Sequence, residues 1–323
     1  MRIRKLLRVR FVVYSFTEQE KIMAELTPMM QKYMETKEQY KDCILFYRLG
    51  DFYEMFFDDA LVASKELEIT LTGKSCGLEE RAPMCGIPYH AVEGYLSKLV
   101  SRGYKVAICE QVEDPKLAKG LVKREVIRVV TPGTNLNVQS LEAGKNNYLL
   151  SIAYTPDGIG ISAADVTTGD YYVTEVEDLK KLNDELMKYE PSEIICNEAF
   201  LVSGFDVNDL KSRLHISVNA LESHMFDDDG CRRILMKHFK VNTLIGLGVE
   251  EFPTGLLAAG ALLQYLYDTQ KTDLEHFTHI YPYLTSKYML LDSSTRRNLE
   301  LTETLREKQK RGSLLWVLDK TKT

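Results

Sequence analysis

The sequence lacks the features that mark membrane, fibrous and disulfide-stabilised proteins. Its 323 residues include only 9 prolines, 19 glycines and one tryptophan, and 45% of them are hydrophobic, which excludes a mainly disordered or fibrous chain. No run approaches the ~18 consecutive apolar residues that a membrane helix requires. The six cysteines are scattered and form no Cys-x-x-Cys pair. We therefore expect reduced thiols in a cytoplasmic chain rather than a disulfide framework or a zinc site.

An excess of positive charge is also lacking. The 41 lysines and arginines stand against 47 acidic residues, for a formal net charge of −6. This balance excludes a uniformly basic nucleic-acid coat but leaves room for a local basic stripe. On a norm of ~100–200 residues per domain, the length predicts two or three domains.

The first 22 residues differ from the rest of the chain. Residues 1–10 hold five basic residues, and no acidic residue precedes Glu18. A targeting peptide would explain this charge, but the apolar run at residues 9–16 is short, is interrupted by Arg10 and lacks a small-residue cleavage site. We favour a start codon assigned too early, with Met23 as the true start, and leave residues 1–22 out of the fold prediction.

Residues 23–135 predict one mixed α/β domain. The apolar run at residues 44–49 predicts a strand that ends at Gly50. Asp51 is then placed to cap a helix, because apolar residues recur at helical spacing after it. The other expected elements are helices at 27–40 and 91–102 and strands at 68–72, 104–109 and 125–131.

Residues 136–147 are polar and predict a linker, after which the order of elements changes. Three strand patterns joined by short turn sequences precede a helix and two more strands. An antiparallel meander followed by alternating helix and strand is typical of ribonuclease H-like domains, which we predict over residues 148–252. The expected strands are 148–154, 159–165, 171–176, 193–196 and 215–218, and the helix is 179–189.

From residue 253 the pattern is helical. Residues 255–270 are apolar on most sides, which predicts a buried helix, whereas the charged residues 293–310 predict a long helix with a solvated face. The apolar patch at 314–318 needs a surface to pack on. We therefore expect residues 253–323 to begin a helical domain and the chain to be the front portion of a longer protein.

A possible phosphate loop is better explained as a turn. Gly73-Lys74-Ser75 follows a predicted strand, but a phosphate loop needs a glycine five positions before Gly73, where Glu68 stands. We expect Lys74 to be a turn lysine.

A nuclease built on the ribonuclease H-like block would need several carboxylates around two metal ions. The first strand, at residues 148–154, supplies none. Asp165 and Asp170 flank a turn and are expected to be turn residues. Neither catalysis nor a metal site is therefore expected here.

Positive charge is concentrated at residues 116–128, which carry five basic residues against the single acid Glu125. Such a stripe could follow a phosphate backbone. A solvated loop and strand edge explains the same composition and is slightly favoured. The basic residues are Lys116, Lys119, Lys123, Arg124 and Arg128.

The segment of residues 50–57, Gly-Asp-Phe-Tyr-Glu-Met-Phe-Phe, is the most informative one. Asp51 followed by Glu54 resembles a capping box, and Phe52 could simply belong to the core. Three phenylalanines and a tyrosine within six residues nevertheless exceed what one helix face needs. An exposed aromatic at such a turn can wedge between stacked bases, and a nearby carboxylate can hydrogen-bond to a base edge.

Around these residues the sequence resembles the bacterial MutS family, whose members recognise mismatches in DNA. The resemblance runs from about Met23 to the end of the chain, and several long strings occur in the family's order. The strings are 27–30 (TPMM), 45–54 (LFYRLGDFYE), 83–92 (PMCGIPYHAV), 107–111 (AICEQ), 129–134 (VVTPGT) and 294–300 (STRRNLE).

The resemblance implies a multidomain α/β (α+β) protein with a mismatch-recognition domain at 23–135, a connector at 148–252 and the start of a lever domain at 253–323. The family's Phe-x-Glu signature falls on Phe52 and Glu54. Phe52 would enter from the minor groove, stack on the mispaired base and kink the duplex, while Glu54 would hydrogen-bond to that base. Other expected contacts are Lys74 and Arg124 to the DNA backbone and Leu49 and Met84 in the groove.

The resemblance also implies partners and cofactors. The ligand would be mismatched double-stranded DNA, and the full-length protein would be a homodimer that binds a MutL-type repair partner in the bacterial cytoplasm, at the nucleoid. ATP and magnesium would serve an ATPase domain beyond residue 323. The 323-residue chain itself is expected to need no cofactor and to be no enzyme.

Two alternatives stay open at this point. One is a structure-specific nuclease on the ribonuclease H-like domain, which would need Asp165. The other is a paralogue that binds branched DNA or acts as a scaffold. The presence of both Phe52 and Glu54 argues against such a paralogue, which would have little use for the pair.

Overall fold

The computed structural model describes residues 25–113, 120–135, 146–287, 291–319 and 321. The chain divides into two compact units, of which the first runs to residue 140 and the second holds nearly all of the rest. Each unit is built on a six-stranded mixed sheet with helices, which confirms the predicted multidomain α/β class. The doubtful segment 1–22 and most of the predicted linker lie outside the described residues. No described helix has both the length and the apolar composition needed to cross a membrane.

The first unit places the apolar run at residues 43–49 in the middle of its sheet, whose strand order is β3-β4-β2-β1-β5-β6. Strand β1 is parallel to β5, and the other pairs are antiparallel. The elements are α1 (Pro28–Gln39), β1 (Cys43–Leu49), β2 (Phe52–Phe56), α2 (Phe57–Leu67), β3 (Thr72–Lys74), β4 (Ala82–Pro88), α3 (Val92–Val100), β5 (Lys105–Gln111) and β6 (Arg124–Val130).

Helices cover both faces of this sheet, which is why β1 is apolar on both sides. On one face, called the α1 face below, Met30 and Tyr33 of α1 pack against Leu45. On the other face, α2 and α3 pack against Ile44 and Phe46.

The buried carboxylate of Asp59 holds α1, α2 and β1 together. Its Oδ2 accepts hydrogen bonds from the backbone N–H of Leu45 at 2.9 Å and from the hydroxyl of Tyr33 at 3.1 Å. Its Oδ1 lies 2.9 Å from Nζ of Lys37. Burial raises the pKa of Asp59, and the Lys37 ammonium opposes that rise.

The predicted helix after Asp51 is wrong. Residues 52–56 form β2, and the helix begins only at Phe57. Gly50 has a φ of +58° and, with Asp51, makes a two-residue hairpin loop, because Leu49 pairs directly with Phe52. Glycine at the first loop position is what such tight hairpins need. The capping box expected at Asp51 and Glu54 is therefore absent.

Two further predictions in this unit were wrong. The strand expected at 68–72 is short and late, because Glu68, with a φ of +58°, ends α2, and β3 covers only Thr72–Lys74. Lys74 is therefore a strand residue and not a turn residue. Strand β4, which lies between β3 and β2, had no predicted counterpart.

The second unit has the strand order β11-β10-β7-β8-β9-β12. Strands β7, β8 and β9 form an antiparallel meander, while β10 is parallel to β7 and β11 is parallel to β10, as predicted for a ribonuclease H-like order. The elements are β7 (Tyr148–Thr155), β8 (Gly158–Asp165), β9 (Asp170–Val176), α4 (Leu179–Tyr189), β10 (Glu193–Cys196), α5 (Glu198–Leu201), α6 (Val207–Ser212), β11 (Ser217–Ala220), α7 (Asp228–Phe239), α8 (Pro253–Gln270), β12 (Tyr281–Pro282), α9 (Ser293–Asn298) and α10 (Leu314–Leu318).

Helix α8 packs in the core of this second unit. Leu256, Leu262 and Leu266 lie in one cluster with Leu149 and Val173 of the sheet. The sequence predicts that this helix belongs to a helical domain that begins at residue 253. The limits of the domains remain predictions.

The long charged helix predicted at 293–310 is wrong. Helix α9 ends at Asn298, and Glu300 follows with a φ of +47°. The carbonyl of Glu300 instead accepts a hydrogen bond at 2.9 Å from the N–H of Leu314. Leu299 and Leu305 are 57% and 41% exposed, so they form no apolar stripe that holds a helix against a core.

Gly160 provides a test of how closely α8 lies on the sheet. A Cβ at this position would lie 2.0 Å from the carbonyl oxygen of Thr254, which belongs to backbone and cannot swing away. Gly160→Ala should therefore lower the free energy of unfolding by about 1–3 kcal/mol. Gly246→Ala in the same unit meets nothing within 4 Å and should change it by less than about 0.5 kcal/mol. Urea titrations followed by circular dichroism would compare the two, and equal effects would contradict the close contact.

Candidate functional site

The six side chains expected to contact DNA lie on one face of the first sheet, although the sequence spreads them over 76 positions. Leu49 pairs with Phe52, and Phe56, two residues beyond Glu54, pairs with Met84. Because side chains alternate along a strand, these residues project from the α1 face. Lys74 and Arg124 project from the same face on the edge strands β3 and β6. The structure thus brings the six together on one face, and their role stays a prediction.

Phe52 lies directly after the hairpin turn and is 47% exposed. Its neighbours on the strand, Tyr53 and Met55, are buried in the core of the opposite face. Gly86 of β4 lies beside it, where a Cβ would be 4.0 Å from a ring carbon of Phe52 and 3.6 Å from Cγ of Glu54. Phe52 therefore presents an aromatic ring to solvent on a tightly held strand.

Glu54 lies two residues further on the same face and is paired with Lys74. Nζ of Lys74 is 2.6 Å from Oε2 of Glu54, and the two side chains are 35% and 17% exposed. The same ammonium lies 5.6 Å from the ring centroid of Phe56. The carboxylate two residues beyond the exposed ring is thus neutralised within the chain.

Arg124 is held by carbonyl oxygens. Its Nε donates to the carbonyl of Arg48 at 2.7 Å, and a terminal nitrogen donates to the carbonyl of Val122 at 2.8 Å. Its guanidinium carbon lies 5.3 Å from the ring centroid of Tyr47. Burial raises the pKa of that tyrosine to about 12, so its hydroxyl stays protonated at neutral pH.

Both edge cations lean inward across one strand. Lys74 starts on β3 and reaches over β4 to β2, whereas Arg124 starts on β6 and reaches over β5 to β1. Each of them therefore ties an edge of the sheet to the central hairpin that carries Phe52.

The basic stripe considered at residues 116–128 does not form one surface among its described residues. Ile127 is an extra residue in β6 opposite the step from Ile108 to Cys109 of β5, so Arg124 pairs with Gln111 and Arg128 pairs with Ile108. The extra residue reverses the alternation, and the two arginines project from opposite faces. Arg128 donates to the carbonyl of Thr134 at 2.9 Å, and burial lowers its pKa. Lys116 and Lys119 lie outside the described residues.

A group of side chains that no sequence pattern singled out supports the hairpin from the opposite face of the sheet. Arg48 donates to the carbonyl of Gly50 at 2.5 Å and stacks on Tyr89, with its guanidinium carbon 3.7 Å from the ring centroid. It also lies 3.4 Å from Glu110, which accepts a hydrogen bond from Tyr53.

The pKa of Tyr53 identifies the donor in its hydrogen bond to Glu110. Burial, followed by the hydrogen bond to Glu110, raises the pKa of Tyr53, so the phenol is the donor. Arg48, Tyr89 and Glu110 all lie in the strings that carry the family resemblance, and this was the signal that could have singled them out.

The carboxylates considered for a nuclease flank the turn between β8 and β9, as predicted, and are the last residue of β8 and the first residue of β9. Oδ1 of Asp165 accepts from the N–H and the hydroxyl of Thr167, and Oδ2 accepts from the N–H of Asn147. Asp170 accepts from the hydroxyl of Thr168 at 2.8 Å. Within the described ranges, no group of three or more histidine, cysteine or acidic residues is arranged to hold a metal ion.

Comparison with known proteins agrees with the architecture. The family model described as MutS domain I matches residues 27–139, and the model for MutS domain II matches residues 147–278. The chain is 70% identical over 301 residues to the DNA mismatch repair protein MutS of Lachnoclostridium phytofermentans, covering 93% of this chain and 32% of that protein. The proteins of the same name from Ruminiclostridium cellulolyticum and Acetivibrio thermocellus are each 54% identical, covering 93% of this chain and 34% and 35% of their own lengths.

Fold and site together define a chain of two α/β units, the first of which displays an aromatic ring and a carboxylate beside a tight hairpin. With both domain models matched over about three quarters of its length, the chain belongs to the MutS family. It spans about a third of the length of the curated relatives it matches.

Gly50 offers a test of the turn that sets the position of Phe52. Its φ of +58° is costly for residues with a branched Cβ, so Gly50→Val should lower the free energy of unfolding by about 1–2 kcal/mol. Gly50→Asn should cost clearly less, because asparagine adopts this conformation more readily. No atom lies within 4 Å of a Cβ at this position, so packing does not confuse the comparison. Equal losses in urea unfolding would contradict the turn assignment.

Proposed function

We propose that the first unit binds mismatched double-stranded DNA and that Phe52 is the wedge that enters the duplex. The observation that carries this proposal is an aromatic ring, 47% exposed, next to a two-residue hairpin with a carboxylate two positions later on the same face. The relatives at 54–70% identity are named DNA mismatch repair proteins, which supports the same function for this chain. It would act on DNA in the bacterial cytoplasm, at the nucleoid.

A wedge of this kind selects for weak base steps without reading base identity. Unstacking and kinking a duplex costs a few kcal/mol per step, and the cost is lower where pairing is already faulty. Phe52 would enter from the minor groove and stack on the mispaired base. The contacts of Arg48, Tyr89 and Glu110 support this role because they hold the hairpin in place. A ring inserted between bases must keep its position against them.

Glu54 would add discrimination to the wedge. A carboxylate near phosphates lowers affinity for every duplex, and a base edge that offers a hydrogen bond to Glu54 restores the lost affinity. A base in a mispair leaves part of its pairing edge unsatisfied, whereas a matched pair leaves only its groove edges free. Leu49 and Met84 would line the groove beside the ring, and Arg124 would contact the backbone.

The remaining steps of repair are proposed for the whole protein. Homodimer formation, binding of a MutL-type partner and the use of ATP with magnesium would involve the two thirds of the relatives that this chain does not match. Gly73 and Lys74 do not fit a phosphate loop, because they lie within strand β3 rather than in a loop that leads into a helix.

Replacing Phe52 by alanine should abolish the preference for a mismatch. Loss of one stacking contact removes about 1–3 kcal/mol, which is about 5-fold to 150-fold in affinity for a G·T duplex. Fluorescence anisotropy at one fixed salt concentration would measure binding to G·T and matched duplexes. Leu61→Ala is the matched control, since Leu61 is 41% exposed but lies on α2, across the sheet. A full G·T preference in Phe52→Ala would refute the wedge.

Replacing Glu54 by alanine should weaken discrimination in a different way. Affinity for the matched duplex should stay the same or rise, since a negative charge near phosphates is removed, while the advantage of the G·T duplex shrinks by about 1–3 kcal/mol. The same titrations give both values. If the two affinities fell by equal factors, Glu54 would have only a structural role.

A further inference from the structure

We infer that Lys74 determines the degree of mismatch discrimination by neutralising Glu54, and that it does not serve mainly as a contact to the DNA backbone. The inference rests on the proposed function of Phe52 and Glu54. It differs from the role that the family resemblance suggests for Lys74, which is a contact to phosphate.

The position of the Lys74 ammonium favours the carboxylate. Nζ lies 2.6 Å from Oε2 of Glu54 and 5.6 Å from the Phe56 ring, so two residues of β2 hold it from one side. A lysine whose role is to contact phosphate would extend into solvent on its flexible side chain. Lys74 instead crosses β4 and ends over the central hairpin.

Lys74 and Glu54 approach each other diagonally over β4. Strands β3 and β2 both pair with β4, so their backbones are about two strand spacings, roughly 9–10 Å, apart. Lys74 pairs with Ala82 and Glu54 pairs with Gly86, four positions further along β4, and Met84 lies between these two positions on the same face. A longer side chain at position 86 would occupy the space beside Cγ of Glu54, where even a Cβ would lie at 3.6 Å.

Neutralisation has different consequences at long and at short range. Seen from phosphates several ångströms away, a paired carboxylate and ammonium act as a dipole, so their net repulsion is small. A base edge in hydrogen-bonding contact meets the carboxylate oxygen itself, and a charge-assisted bond there is short-ranged. Lys74 would therefore reduce the general penalty of Glu54 on all duplexes and moderate the gain on a mismatch.

Arg124 provides a matched comparison on the same face. It also leans inward from an edge strand, but the groups it contacts are carbonyl oxygens, which carry no net charge. Its positive charge stays available to phosphate. The two cations should therefore differ in how their removal affects matched and mismatched duplexes.

The test compares the ratio of the matched to the G·T dissociation constant among variants of the full chain. Lys74→Gln should weaken matched binding more than G·T binding and raise this ratio about three-fold or more, since an unpaired carboxylate repels phosphate and bonds a base edge more strongly. Lys74→Arg should keep the wild-type ratio. In the Glu54→Gln background, Lys74→Gln should leave the ratio unchanged. Arg124→Gln should weaken binding to both duplexes by the same factor.

Two results would overturn the inference. One is a ratio that Lys74→Gln leaves unchanged or lowers, in protein whose circular dichroism and urea midpoint match the wild type. The other is a salt dependence whose slope falls by about 0.9 in Lys74→Gln, which is the mark of a lost phosphate contact. A wild-type chain without G·T preference would instead refute the proposed function, and this inference with it. A wild-type preference that Lys74→Gln does not alter would refute this inference alone.

Discussion

The two-residue turn at Gly50 is the constraint on which the candidate site depends. It pairs Leu49 with Phe52 and thereby decides which side chains of β2 face outward. Because alternation along a strand has a period of two, a shift by one residue would bury Phe52 and Glu54 and expose Tyr53 and Met55. A left-handed φ that glycine adopts without strain allows this register, so one residue without a side chain sets the geometry of the face.

The charged side chains at the candidate site are held by contacts within the protein. Lys74 is paired with Glu54, Arg124 is bound to backbone carbonyls, and Arg48 supports the hairpin from the other face. A face with many unpaired cations would bind any duplex strongly, because contacts to phosphate carry no sequence information. With Lys74 paired to Glu54 and the charge of Arg124 left for phosphate, the face would suit the proposed site, in which distortion of the duplex and one carboxylate govern selectivity.

The wrong predictions have one physical cause. A local sequence pattern does not determine which other strand or helix a segment will pair with or pack against. Residues 52–56 fit both a helix turn and a strand, and pairing with β1 and β4 decided for the strand. The β5–β6 bulge separated Arg124 from Arg128, although spacing alone placed them in one stripe. The charged run after Asn298 had helical composition, but its Leu299 and Leu305 stay exposed and do not pack in a core.

The sequence by itself determined the fold class and most element positions and indicated Phe52 and Glu54 as candidate site residues, because apolar periodicity, turn residues and family strings are local properties of a chain. It also placed Asp165 and Asp170 on the two sides of a turn, because the turn sequence between them is local. Only the tertiary structure decided that six distant side chains share one face and that Lys74 neutralises Glu54. That contact joins residues 20 positions apart across a strand that was not predicted, and its existence depends on register and strand order, which no local pattern encodes.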